Sequence, residues 1–202
     1  AYWQEIYTGG SNYFFDSSYG GTMSSYKLSK LAALNSTHEK AYKYNAGIDA
    51  TLWGGLDITL DGYYQRRSDI WVSTKGKYSA VIGFESPYEN GGIVDSWGME
   101  LGLNYNKKIG EVTFNVGGNF TLAKNKIVEQ FEEPRLYANL ETTGKSLSQV
   151  MGLEAIGFFK DQEDIDNSLV QTFNVVKPGD IKYRDVNGDK KIDSNDKTAI
   201  GY

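Results

Sequence analysis

The chain has 202 residues, with 21 Lys and Arg against 26 Asp and Glu, a net charge of −5 and no cysteine. Its mixed, slightly acidic charge offers no basic stripe for neutralising phosphates, which excludes nucleic acid as the partner. The lack of cysteine excludes a thiol-dependent enzyme.

Residues 1–39 read as loop, because Tyr7-Thr8-Gly9-Gly10-Ser11-Asn12-Tyr13 and Tyr19-Gly20-Gly21-Thr22 are rich in turn formers. The chain opens Ala1-Tyr2-Trp3-Gln4, without the basic head and apolar stretch of a signal peptide. It ends at Gly201-Tyr202 without a terminal strand, so it is expected to be an interior piece of a longer polypeptide.

From residue 41 the pattern changes to strict alternation. Tyr42, Tyr44, Ala46, Ile48, Ala50 and Leu52 form one row, and Lys43, Asn45, Gly47, Asp49 and Thr51 form the other. A period of two means a strand with one apolar and one polar face. After Gly54-Gly55, read as a two-residue turn, a second strand sets Leu56, Ile58, Leu60, Gly62 and Tyr64 against Asp57, Thr59, Asp61, Tyr63 and Gln65. A long connection follows, from about 66 to 96. A third strand sets Trp97, Met99, Leu101, Leu103 and Tyr105 against Gly98, Glu100, Gly102, Asn104 and Asn106. A tight turn at Lys108-Ile109-Gly110 leads into the fourth, with Val112, Phe114, Val116, Gly118, Phe120 and Leu122 against Thr113, Asn115, Gly117, Asn119 and Thr121.

These apolar rows carry no charge, which is what lipid demands, since a midplane charge costs roughly 2–4 kcal/mol. Strands of about ten residues are long enough to cross an outer membrane when tilted. Tight turns at one end and long loops at the other are the habit of outer-membrane barrels. Aromatic residues collect at the strand ends: Tyr42, Tyr44, Tyr64 and Trp97 near the loops, Trp53 and Tyr105 near the turns. A soluble sandwich also alternates, and is the rival on pattern alone. The expected fold class is all-β: antiparallel hairpins forming part of a transmembrane β-barrel, with long irregular extracellular loops. Residues 41–53 should pair with 56–66, and 97–107 with 111–123. Even-numbered residues of the first, second and fourth strands should share a face with odd-numbered residues of the third. The expected organisation is an extracellular loop over 1–39, four barrel strands over 40–123 and an extracellular region over 124–202.

That last region holds a short apolar run, Ala155-Ile156-Gly157-Phe158-Phe159, and then an acidic loop, 185–196. Asp185, Asn187, Asp189, Asp193 and Asp196 occupy positions 1, 3, 5, 9 and 12 of a calcium-binding loop, with Ile192 at the apolar eighth. The backbone carbonyl of Lys191, at position 7, completes the expected Ca²⁺ ligands, its side chain pointing away. Lys190 stands where such loops carry glycine, and Asp196 is shorter than the usual Glu. The plainer reading is a turn-rich acidic loop that needs no metal. His38, the only histidine, reads as an incidental loop residue.

Five motifs in order give the chain a family resemblance. Tyr44-Asn45-Ala46-Gly47-Ile48-Asp49 is similar to "YNIGLD", and Asp61 to Asp69 to "DYYxRxTxD". Asn90-Gly91-Gly92 through Leu101 is similar to "NxGxVxNxGxEL", with Ser96 replacing the usual Asn. Asn119 to Ile127 resembles "NFSYNKNKV", and Pro178 to Asp193 resembles "PGDIKYKDxNGDGxID". These are motifs of the SusC/RagA-type TonB-dependent transporters of Bacteroidetes outer membranes, and the resemblance covers most of 28–202. In one departure, Leu31 to Glu39 lacks the Pro and Trp of the family's "LANPNLKWE". The resemblance implies an outer-membrane transporter importing oligosaccharides or peptides, energised by the TonB complex through parts of the polypeptide outside this chain. It also implies a SusD-like surface lipoprotein as partner, and no enzyme activity. The alternative is a soluble, calcium-binding carbohydrate-recognition β-domain. A glycoside hydrolase using paired carboxylates, Asp57 with Asp61 or Glu132 with Glu133, ranks lower, because polar barrel lumens commonly carry such residues.

Overall fold

The structure is a computed structural model that describes residues 4–14, 22–33, 36–78, 81, 83 and 85–201. The chain divides into two compact units, Ala1–Glu133 and Pro134–Tyr202. No helix among the described residues is long and apolar enough to cross a membrane, which says nothing of spanning by strands.

The first unit begins with short strands rather than plain loop. β1 (Ile6–Gly9), β2 (Tyr13–Phe14), β3 (Thr22–Met23) and β4 (Tyr26–Lys30) form two small antiparallel pairs, β1 with β4 and β2 with β3. Its main element is a four-stranded antiparallel sheet of β5 (Lys40–Leu52), β6 (Leu56–Ser73), β7 (Tyr88–Ile109) and β8 (Val112–Glu129), in that order. The register is the one the alternation requires. Ile48 pairs with Leu60, Leu60 with Leu101, and Leu101 with Phe120, so even positions of β5, β6 and β8 share a face with odd positions of β7.

Both turns are displaced from their expected positions, the first by one residue. In the first, the Gly55 N–H donates to the Leu52 carbonyl at 3.2 Å, and Trp53 and Gly54 are the central residues, both at positive φ. That is the type I′ geometry. Gly55 serves packing instead, since a Cβ there would collide with the Asn106 carbonyl of β7. In the second, Ile109 pairs with Val112 and Gly110 takes φ +64°, so Gly110-Glu111 forms the turn rather than Lys108-Ile109-Gly110.

The ladders also run further than the alternation suggested. β6 continues to Ser73 and β7 starts at Tyr88, so the connection expected at about 66–96 contracts to 74–87. β8 likewise continues to Glu129. The β6–β7 extension passes irregularities between Arg67 and Ile70 and between Ile70 and Trp71, and Asp69 there has φ +56°. These bulges break the period of two, which hid the extension from sequence reading.

The second unit is built from short pieces. β9 (Val150–Gly152), β10 (Ala155–Phe158), the single-turn helix α1 (Gln162–Asp166), β11 (Val170–Gln171), β12 (Ile181–Tyr183), β13 (Lys191–Ile192) and β14 (Thr198–Gly201) form three two-stranded sheets. β14 pairs with β9, β10 with β12, and β11 runs parallel to β13. Phe159 and Ile192 are its buried apolar centre. Gln171, also buried, ties two of the sheets together: its Nε2 donates to the Ile181 carbonyl and its Oε1 accepts the Tyr183 N–H.

Candidate functional site

The feature that sets the chemistry of the first unit is the outward face of its large sheet. Four complete cross-sheet rows carry only apolar residues and glycine, apart from one tyrosine. They are Ala46–Gly62–Met99–Leu122, Ile48–Leu60–Leu101–Phe120, Ala50–Ile58–Leu103–Gly118 and Leu52–Leu56–Tyr105–Val116. Large members of these rows stay exposed: Ile48 at 68%, Phe120 at 55% and Val116 at 70%. From Leu52 to Tyr44 is eight residues, about 27 Å along a strand at ~3.4 Å per residue. The apolar band of outer-membrane barrels is roughly 25 Å tall. Aromatic side chains mark the loop-end boundary, where Tyr44 and Tyr64 stack with ring centroids 6.4 Å apart.

The opposite face is polar. Its rows are Lys43–Gln65–Ser96–Asn125, Asn45–Tyr63–Gly98–Ala123, Gly47–Asp61–Glu100–Thr121, Asp49–Thr59–Gly102–Asn119 and Thr51–Asp57–Asn104–Gly117. Asp57 and Asp61 share this face, two rows apart, and Asp57 accepts a 2.7 Å hydrogen bond from the Thr51 hydroxyl. These carboxylates lie along an open wall, as lumenal residues of a barrel do.

Beyond the regular ladders, polar contacts fasten the loop end. Asn90 accepts the Thr37 N–H at 2.9 Å and donates to the Asp69 carbonyl at 2.7 Å, clipping the segment before β5 onto the bulge. Lys40 pairs with Asp69 at 2.7 Å. Glu89 meets Lys77 at 2.6 Å and Tyr78 at 3.0 Å, and the Lys77 ammonium holds its carboxyl below the usual range. These groups border a cavity of about 580 Å³, together with Glu5, Trp71 and Asn90. Nothing in the sequence marked it, because its walls come from segments far apart in the chain.

In the second unit the structure gathers the six residues of the acidic loop but directs most of their oxygens to backbone N–H groups. Asp185 accepts from Gly188 at 2.6 Å and Lys190 at 3.0 Å, Asn187 from Asp189 at 2.9 Å, and Asp189 from Lys191 at 3.1 Å. Asp193 accepts from Asn195 at 2.7 Å. Asp196, fully buried, accepts from Val186 at 2.9 Å and Asp193 at 2.8 Å. Lys191 does not point away as expected: its ammonium lies 2.8 Å from Asp193 and 3.8 Å from Asp189. The Lys191 hydrogen bond holds the Asp193 carboxyl below its ordinary range, and Asp193 in turn raises Lys191. Among the described residues, no three carboxylate or imidazole side chains converge as they would around a metal ion. The donor set still has the hard-oxygen chemistry of a Ca²⁺ loop, and the Lys191 ammonium offsets part of the charge of Asp189 and Asp193. Lys190 takes the positive φ, +66°, that glycine normally supplies at this position.

Residues 4–194 match the family described as TonB dependent receptor-like, beta-barrel. The chain belongs to this family. It is 27% identical over 180 residues to TonB-dependent receptor P26 of Formosa agariphila, covering 83% of this chain and 18% of that protein. With TonB-dependent receptor P39 of the same organism it shares 26% over 200 residues, covering 81% of this chain and 19% of that protein. The chain therefore spans about a fifth of the length of these relatives. Among solved structures it resembles the RagAB peptide importer in the "open-open" state, with a TM-score of 0.59 at 18% identity over 98% of this chain and 20% of that one. The "closed-closed" state gives 0.57 at the same identity, again over 98% of this chain and covering 21% of that one. The four-stranded sheet is thus a section of a transmembrane β-barrel of this family, apolar on one face and polar on the other.

Proposed function

We propose that this chain is a wall section of an outer-membrane transporter that imports oligosaccharides or peptides, with energy from the TonB complex and a SusD-like surface lipoprotein as partner. The observation that carries the reading is the exposed outward face: four uncharged rows backed by a polar wall, a distribution suited to lipid on one side and solute on the other. A soluble recognition domain would have to cover that face. The relatives named as receptors, and the importer whose fold this chain shares, support transport rather than catalysis.

In this reading the connection 74–87 and the second unit are extracellular. The acidic loop takes one Ca²⁺ through Asp185, Asn187, Asp189, Asp193, Asp196 and the Lys191 carbonyl. The ion would brace a region with a small core of its own. Deleting the full-length gene should abolish uptake of one oligosaccharide or peptide mixture, and restoring it should recover uptake only while the inner membrane is energised. Recovery in de-energised cells would contradict the proposal.

A further inference from the structure

The outward face changes chemistry at its loop end. Next to the aliphatic rows lie two more complete cross-sheet rows, Tyr44–Tyr64–Trp97–Lys124 and Tyr42–Arg66–Asp95–Lys126. The ladders are unbroken through both rows, since the first shifts come after Arg67 in β6 and before Val94 in β7. Paired residues in an unbroken ladder share a face. Arg66, Lys124 and Lys126 therefore stand on the same side as the aromatic rings and the apolar rows, and all three are exposed.

The charge there is not balanced internally. Arg66 Nε lies 3.3 Å from Asp95 Oδ1. Lys124 and Lys126 make no ion pair among the described residues. Lys40, one row further out, already pairs with Asp69. The face thus carries two uncommitted ammonium groups, two residues apart on one strand and so about 7 Å apart along it. At its turn end the same face has a single base, Lys107, opposite Phe114.

A long cationic side chain next to an aromatic belt lies at headgroup depth, its stem along the hydrocarbon and its charge in the polar layer. Unpaired cations there complement lipid phosphate. We propose that Arg66, Lys124 and Lys126, beside Tyr44, Tyr64 and Trp97, bind the phosphate-bearing headgroup of a membrane lipid in the leaflet at the loop end. The proposal rests on the membrane reading of the sheet.

The test uses the full-length receptor in detergent micelles doped with phosphatidylglycerol or with phosphatidylcholine, and native mass spectrometry to count retained lipid. Phosphatidylglycerol should be retained in preference. K124Q/K126Q should weaken that retention about 30-fold, at ~1 kcal/mol per base, while K107Q leaves it unchanged. If the double variant fails to assemble, K126Q alone should cost about 5-fold. Equal retention by wild type and lysine variants would overturn the proposal. So would full displacement by millimolar inorganic phosphate, which would mark a site for the free anion. A receptor that folds as a monomer without detergent would instead contradict the membrane reading beneath it.

Discussion

Leu101→Arg is the sharpest perturbation of the sheet. Leu101 sits in the row Ile48–Leu60–Leu101–Phe120, four residues from Trp97 at one aromatic boundary and four from Tyr105 at the other. At ~3.4 Å per residue that is about 14 Å along the strand from each, which is midplane depth. Arginine there should cost roughly 2–4 kcal/mol, a factor of about 30 to 700 in the folded-to-unfolded ratio. Gly102→Asn, on the adjacent lumenal position, is the control. A Cβ at Gly102 meets only ordinary contacts, the nearest being Thr59 Cβ at 3.7 Å, so this change should cost well under 1 kcal/mol. Urea titration of the full-length receptor folded into lipid vesicles, read by tryptophan fluorescence, measures both. Equal costs for the two variants would refute the assignment of faces.

Three further outcomes are expected. Gly54→Ala should destabilise the first hairpin by about 1–2 kcal/mol in the same titration, because Gly54 holds φ +64° with open space around it, leaving backbone strain as the only cost. Asp193 has a lowered carboxyl pKa, so its contribution should be intact above the ordinary Asp value of about 3.9 and lost as pH falls through its folded value; the protection factor of the Asn195 amide, which donates to Asp193, should fall in that acid range and stay flat between pH 5 and 8 once the intrinsic exchange rate is divided out. Calcium titrated calorimetrically into the full-length receptor should release heat that Asp185→Ala removes, and Lys191→Met should bind more tightly because its ammonium no longer competes at Asp189 and Asp193; heatless titrations of wild type and Lys191→Met alike would leave the loop a metal-free turn.

The large sheet was legible because one physical rule governs it. Each face meets a different medium, so the period of two persists for whole strands and fixes the register as well as the strands themselves. The turns were displaced because two adjacent glycines, Gly54 and Gly55, look interchangeable in sequence; only the approach of the Asn106 carbonyl shows that Gly55 is needed for packing. The extension past Arg66 was illegible because Arg66-Arg67-Ser68-Asp69 breaks the alternation, while the pairing survives through bulges. The second unit offered least. Its strands are two to four residues long, too short for periodicity, and β9 pairs with β14 almost fifty residues later. At the acidic loop the spacing of oxygen side chains was plain, but the inward turn of Lys191 depends on two carboxylates meeting one ammonium, which spacing alone does not encode.

The central claim is that β7 separates lipid from lumen residue by residue. Spin labels placed singly at position 97 and at positions 99 to 105 of the full-length receptor in lipid vesicles test it directly, by comparing relaxation caused by oxygen, which partitions into lipid, with that caused by a water-soluble nickel complex. Labels at Trp97, Met99, Leu101, Leu103 and Tyr105 should respond to oxygen, most strongly at Leu101, and labels at Glu100, Gly102 and Asn104 to nickel. A profile without that alternation, or one in which nickel reaches Leu101 as readily as Gly102, would contradict it.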